Sequence, residues 1–155
     1  MNKNDLRLIR ECIQIAWQAR ENGNHPFGAL LADASGEVLL RAENSVVTNG
    51  DITAHAELNL VREASSSYPP EYLEECTLYT STEPCPMCSG AIFWSNIRRV
   101  VYGLSEESLY RMIGEDSEEI LKLNCRDVFN QGKKDIQVIG PLLEDEAREP
   151  HLGFW

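Results

Sequence analysis

The stretch Cys76–Leu104, CTLYTSTEPCPMCSGAIFWSNIRRVVYGL, decides how the rest of the chain is read. Its opening, CTLYTST, alternates as a strand does. PMCSGAIFW begins on a proline suited to a first helical position and reads as a helix, and RRVVYGL is a short buried strand. Strand, helix and strand in succession make a crossover unit joining parallel strands. Inside it stand Cys85 and Cys88, three residues apart at the helix start, so both side chains fall on one helix face.

Upstream, residues 5 to 22 place Leu6, Ile9, Ile13, Ala16 and Trp17 at spacings of three and four, which predicts an amphipathic helix. FGALLAD and VLLRAEN flank the turn ASGE and read as an antiparallel hairpin. SVVTNGDITA is a loop leading into HAELNLVREASS, a second helix that starts near His55. Downstream, residues 105 to 123 suggest one or two helices broken at Gly114, DIQVIGPLL a last strand, and the acidic tail a short helix. The sum predicts a three-layer α/β/α arrangement around a central five-stranded mixed sheet.

A chain of 155 residues is the size of one ordinary domain, so residues 1–155 are expected to fold as a single unit. No apolar run approaches the roughly 20 residues that span a bilayer, and MNKNDLRLIR lacks the features of a secretory signal, so a cytoplasmic protein without membrane contact is expected. In that reducing setting the five cysteines are thiols or metal ligands rather than a disulfide framework. Cys12, Cys76 and Cys125 stand alone and read as small buried hydrophobes. The net charge is −11 and the basic residues are scattered, which disfavours a nucleic-acid partner. The doublets Arg98-Arg99 and Lys133-Lys134 read as solvated edges.

Three chemistries compete for Cys85 and Cys88. A redox pair needs only C-x-x-C at a helix start. A structural zinc site needs four protein ligands, and no second C-x-x-C is present. A catalytic zinc site needs three ligands and an open position, hence one further donor. Of the three histidines, His25 and His151 lie in proline-flanked segments and read as surface or turn residues. His55 precedes an acidic residue at a loop-to-helix junction and suits a ligand. His55 and Glu57 diverge on a regular helix, so both reach one site only if the helix begins at or just before His55. Glu57 is then free to take a proton from a water at the open position. A structural zinc site has no use for such a carboxylate.

His55-Ala56-Glu57 followed by Pro84-Cys85-Pro86-Met87-Cys88 resembles the H-x-E…P-C-x-x-C signature of zinc-dependent nucleobase deaminases, the cytidine deaminase-like superfamily. The likeness runs from about Pro26 to Gly103. By that resemblance His55, Cys85 and Cys88 hold one Zn²⁺, Glu57 is the proton shuttle, Asn44 hydrogen-bonds the substrate ring, and the Ala56 N–H binds a substrate carbonyl. HPFGALL and PCPMCSGAIFW resemble bacterial guanine deaminases, which implies a purine-type base or nucleoside as substrate, guanine-like preferred, with Phe27 and Trp94 as flat walls. Transfer-RNA adenosine deaminases and cytosine deaminases share the metal motifs. The resemblance also implies a homodimer. The tail EPHLGFW is expected to fold over the pocket of its own or a neighbouring subunit.

Overall fold

A computed structural model describes the whole chain, residues 1–155. Helix α1 (Asp5–Glu21) leads into the hairpin of β1 (Gly28–Ala32) and β2 (Val38–Glu43). The short α2 (Val46–Asn49), then α3 (Ala56–Ser67) and α4 (Pro70–Leu73), precede the crossover of β3 (Thr77–Thr82), α5 (Pro86–Ser95) and β4 (Arg99–Leu104). Helices α6 (Glu106–Ile113) and α7 (Cys125–Asn130), strand β5 (Gln137–Ile139) and α8 (Glu144–Arg148) complete the chain. The sheet order is β2-β1-β3-β4-β5; β1 is antiparallel to both neighbours, and β3, β4 and β5 are parallel. The five-stranded mixed sheet is therefore as expected.

Side chains alternate across the pleat and make two cores. Ala29, Leu31, Leu78 and Val100 join Leu60, Ile92 and Phe129 from α3, α5 and α7. Leu30, Tyr79 and Val101 join Leu8, Ile9 and Cys12 of α1, with Leu109 of α6 and Ala147 of α8. Helices thus cover both faces. Each fully buried Leu or Ile contributes about 1.5–3 kcal/mol, so these layers hold the sheet ends where the loops emerge. Gly28 lets α1 lie close on β1: a Cβ there would stand 2.5 Å from the Cys12 carbonyl oxygen and 2.6 Å from Ile15 Cβ. Cys12, Cys76 and Cys125 are buried free thiols, as expected. No helix is long and apolar enough to cross a membrane.

Two local readings are corrected, and the break expected at Gly114 is present. SVVTNGDITA contains a helical turn, α2, closed by Gly50 in the left-handed region (φ 60°). Residues 105–123 supply one helix, α6, which ends at Gly114 (φ 102°), and the next helix is α7, beyond that span. The basic doublets are not simply solvated. Arg99 donates from Nη1 and Nη2 to the fully buried Asp5 carboxylate at 3.0 and 2.8 Å, and Lys134 Nζ donates to the Phe93 carbonyl at 2.7 Å. One member of each doublet is tied down by an acceptor that lies far away in sequence.

Candidate active site

Two helix starts meet beyond the ends of the central strands. His55 is the N-cap of α3 and Cys85 that of α5, each with extended backbone (ψ 153° and 170°), and Pro86 occupies the first turn of α5. An N-cap residue is off the helical path, which is why His55 and Glu57 can face one point although they are two residues apart. Helix α3 begins at Ala56, so the expected frayed start is realised as a cap. His55 Nδ1 lies 3.6 Å from Cys85 Sγ and 3.5 Å from Cys88 Sγ, and the three ligand atoms lie within 4.8 Å of one another.

These separations test the fit of a zinc ion directly. Zn–S and Zn–N bonds of about 2.3 and 2.0–2.1 Å at tetrahedral angles put sulfur and nitrogen about 3.6 Å apart. Both nitrogen–sulfur separations therefore match zinc, and a three-ligand set leaves one position open. The electrostatics agree. Hydrogen bonding from Cys88 outweighs burial and, with His55, pulls the Cys85 thiol down to about 4, so it is a thiolate at neutral pH. The N-terminal end of α5 favours the same charge.

The site opens into a cavity of about 230 Å³. Glu57, 5% exposed, lines it; burial, then the Cys85 charge, push its carboxyl up to about 7. Asn44 lines it as well. Its Oδ1 accepts from the Val46 N–H at 3.1 Å, which orients the side chain and leaves Nδ2 without a protein acceptor. Phe27 lines the cavity too. Ala56 is fully buried and does not line the cavity; it can offer only its N–H, which as the first of α3 has no acceptor within the helix.

Trp94 is the clear correction. Helix α5 turns Cys88, Ser89, Ile92 and Ser95 inward, so Met87 and Trp94 fall on its outer side, and Trp94 is 79% exposed and absent from the cavity. The aromatic wall opposite Phe27 comes instead from Trp155, whose ring centroid lies 6.2 Å from that of Phe27 at 54°. The tail thus closes over the pocket of its own chain. His151 is also corrected: it is 1% exposed, not a surface residue. His25, read as a turn residue, lines the cavity. No local pattern marks His25 as a pocket residue, because its surroundings there come from Phe154 and Trp155 of the tail.

Glu83 and Glu106 line the cavity and build its floor. Glu83 accepts from the Glu106 N–H at 3.0 Å and the Cys125 N–H at 2.9 Å, capping α6 and α7 together, and Glu106 accepts from the Leu123 N–H at 2.9 Å. A carboxylate one position before the P-C-x-x-C run so anchors the segment that walls the pocket.

Comparison with known proteins agrees with this arrangement. Residues 2–104 match the family model described as the cytidine and deoxycytidylate deaminase zinc-binding region. A probable cytosine deaminase of Schizosaccharomyces pombe is 46% identical over 156 aligned residues, covering 100% of this chain and 94% of its own. The guanine deaminase of Bacillus subtilis is 38% identical, covering 75% and 81%. The fold is shared with a solved structure from work on tRNA:A34 deaminases, with TM-score 0.72 at 27% identity over 94% of this chain and 99% of that one.

Proposed function

The chain belongs to the cytidine and deoxycytidylate deaminase family and is a zinc-dependent deaminase, and from that premise we propose that it releases ammonia from a free, uncharged nucleobase. The observation that carries this substrate class is the pocket's charge. No Lys or Arg lines it, whereas Glu83, Glu106 and Glu119 do, so a phosphate would meet carboxylates there. That also disfavours transfer RNA as substrate.

In this reading His55, Cys85 and Cys88 hold the metal and residues 1–155 act as one domain. When bound, zinc supplies a Lewis acid that makes water nucleophilic near neutral pH. Glu57 takes the proton of the attacking water, gives it to a ring nitrogen, and later protonates the departing amine; its carboxyl is buried at the lining of the same cavity, within reach of the open position. Asn44 Nδ2 and the Ala56 N–H donate to acceptors on the ring. Phe27 and Trp155 form an apolar corner that packs the ring and keeps bulk water away.

A cytosine-type ring is the first choice of base. The relative named for cytosine matches the whole chain, including the C-terminal segment that supplies Trp155. The guanine preference expected from sequence rested partly on Trp94, which stands outside the pocket; it remains the second reading on the strength of the 38% identical relative. We also propose a homodimer formed through the outer face of α5, where Met87 and Trp94 present apolar surface.

Ammonia release by the zinc-loaded protein, measured against cytosine, guanine, adenine, their nucleosides and transfer RNA, tests the proposal. Cytosine or guanine should be turned over, and Glu57→Gln should keep its zinc while kcat falls about 10²–10⁴-fold. A response to transfer RNA alone, or an undiminished Glu57→Gln, would reject it.

A further inference from the structure

The segment 149–155 is held at several points. Arg20 Nη1 on α1 donates to the Pro150 and Leu152 carbonyls at 2.8 and 2.7 Å, and its guanidinium lies over the Phe154 ring at 5.5 Å. Between these points His151 turns into the protein. Its Nδ1 stands 3.0 Å from Trp155 Nε1, and its Nε2 stands 3.4 Å from Thr82 Oγ1, at the end of β3 and three residues before Cys85.

These two contacts fix the imidazole's tautomer. An indole N–H is a donor only, so Nδ1 must be the acceptor and carry no proton. The neutral ring then bears its proton on Nε2, which is the nitrogen facing the Thr82 hydroxyl. Burial, with the Arg20 charge, holds the imidazole down to about 4 and keeps this form at neutral pH. The Trp155 ring lies nearly coplanar with His151, at 13° with centroids 6.1 Å apart, and meets Phe27 and His25 at centroid distances of 6.2 and 5.8 Å. The indole is 39% exposed, and the His151 contact is the one hydrogen bond its N–H makes.

We propose that His151 is a positioning residue, which in its Nε2–H tautomer links Thr82 to the Trp155 indole and so fixes the C-terminal ring as the wall that closes the pocket over the base. The inference rests on the deaminase reading of that pocket. His151 acts through Trp155 and does not itself line the cavity. A wall that packs equally on ground state and transition state alters binding more than chemistry.

Two substitutions separate the contacts. Asn offers an acceptor near the Nδ1 position and Gln an amide near the Nε2 position, so His151→Asn should keep the link to the indole and His151→Gln should lose it. In the full-length, zinc-loaded protein without substrate, the Trp155 indole N–H resonance should exchange slowly with solvent in the wild type and in His151→Asn, and rapidly in His151→Gln. With the base as substrate, His151→Gln should raise KM on the order of tenfold with kcat within about twofold, as loss of one ring-stacking surface implies, and His151→Asn should restore KM. Zinc content and thermal midpoint establish that each variant is folded. Trp155→Phe, which alters only the chain end, should raise KM alike, and adding His151→Gln to it should change KM no further; if His151→Gln does not fold, slow indole exchange in the wild type and the raised KM of Trp155→Phe at constant kcat decide the matter. Rapid indole exchange in the wild type, equal KM for the Asn and Gln variants, or additive effects in the double variant would overturn the inference. A wild type that turns over no base would instead overturn the deaminase reading, while the indole resonance still tests the link.

Discussion

Replacing Asp5 by Ala should destabilise the protein strongly and leave catalysis intact. Asp5 is fully buried at the start of α1, where it accepts from Arg99 at 3.0 and 2.8 Å, from the Tyr79 hydroxyl at 2.7 Å and from the Asn2 N–H at 2.8 Å. Removing the carboxylate strands the Arg99 guanidinium, only 18% exposed, and leaves the buried Tyr79 hydroxyl short of an acceptor. Loss of one member of a buried pair costs about 3–5 kcal/mol, which for a chain of this length lowers the thermal midpoint by roughly 6–20 °C. Arg99 opens β4 and Tyr79 lies within β3, whereas the ligand Cys85 follows the far end of β3. Zinc content and kcat should therefore be unchanged. The assay is guanidinium unfolding at fixed zinc, run beside Asp5→Leu/Arg99→Met, which replaces both charges with apolar groups and should cost less than the single change. The pH dependence carries a sign. Burial raises the Asp5 carboxyl, but the Arg99, Asn2 and Tyr79 hydrogen bonds outweigh it and the net pKa lies below 3.8. Its contribution is thus fully present above the unfolded value and is lost as pH falls through the lower folded one, so wild type and Asp5→Ala should converge only below about pH 4. A loss under about 1 kcal/mol near neutral pH, or a double variant less stable than the single one, would refute the argument.

Two further outcomes follow from the site and the outer face of α5. Cys85→Ser should lose its zinc on dialysis against a mild chelator while Cys125→Ser, whose thiol is buried against α5, keeps one ion per chain; metal analysis after dialysis checks both. Trp94→Asp should convert the proposed dimer to monomer at micromolar concentration without losing zinc, and sedimentation velocity that shows a wild-type monomer, or a variant that stays dimeric, would remove α5 as the interface.

The sequence was most legible where a local rule applies. The alternation of CTLYTST, Pro86 at a helix start and the hairpin around ASGE each report a backbone state within a few residues, and each was placed correctly. His55, Cys85 and Cys88 were legible because a metal demands donor types at fixed spacing, and zinc's bond lengths leave little freedom in their separation. The errors have two causes. Trp94 was assigned inward although the helical period that turns Cys88 and Ile92 inward turns Trp94 out. Arg99, His151 and His25 owe their surroundings to residues 94, 69 and 130 positions away, as their contacts with Asp5, Thr82 and Trp155 show. Burial of such a residue is a tertiary outcome with no periodic signature.

That difference explains why the reaction was readable and the ring was not. The residues assigned to proton transfer and metal binding lie between His55 and Cys88, all inside the stretch that matches the family model, which ends at Leu104. Trp155, Tyr110, Ile113 and Glu119 wall the same cavity from beyond that point. Attack on an amidine carbon needs the same metal, water and carboxylate whatever ring bears the amine, so that part is free of substrate identity. Discrimination between rings depends instead on differences in edge and face contacts, and here Phe27 supplies one face while Trp155, Tyr110 and Ile113 of the C-terminal third supply the rest. The Glu83 carboxylate joins the two parts, since it sits one position before the P-C-x-x-C run and caps α6 and α7. Substitutions beyond residue 104 should therefore change which base is accepted without abolishing ammonia release for every base, whereas loss of His55, Glu57, Cys85 or Cys88 should abolish it whatever the base.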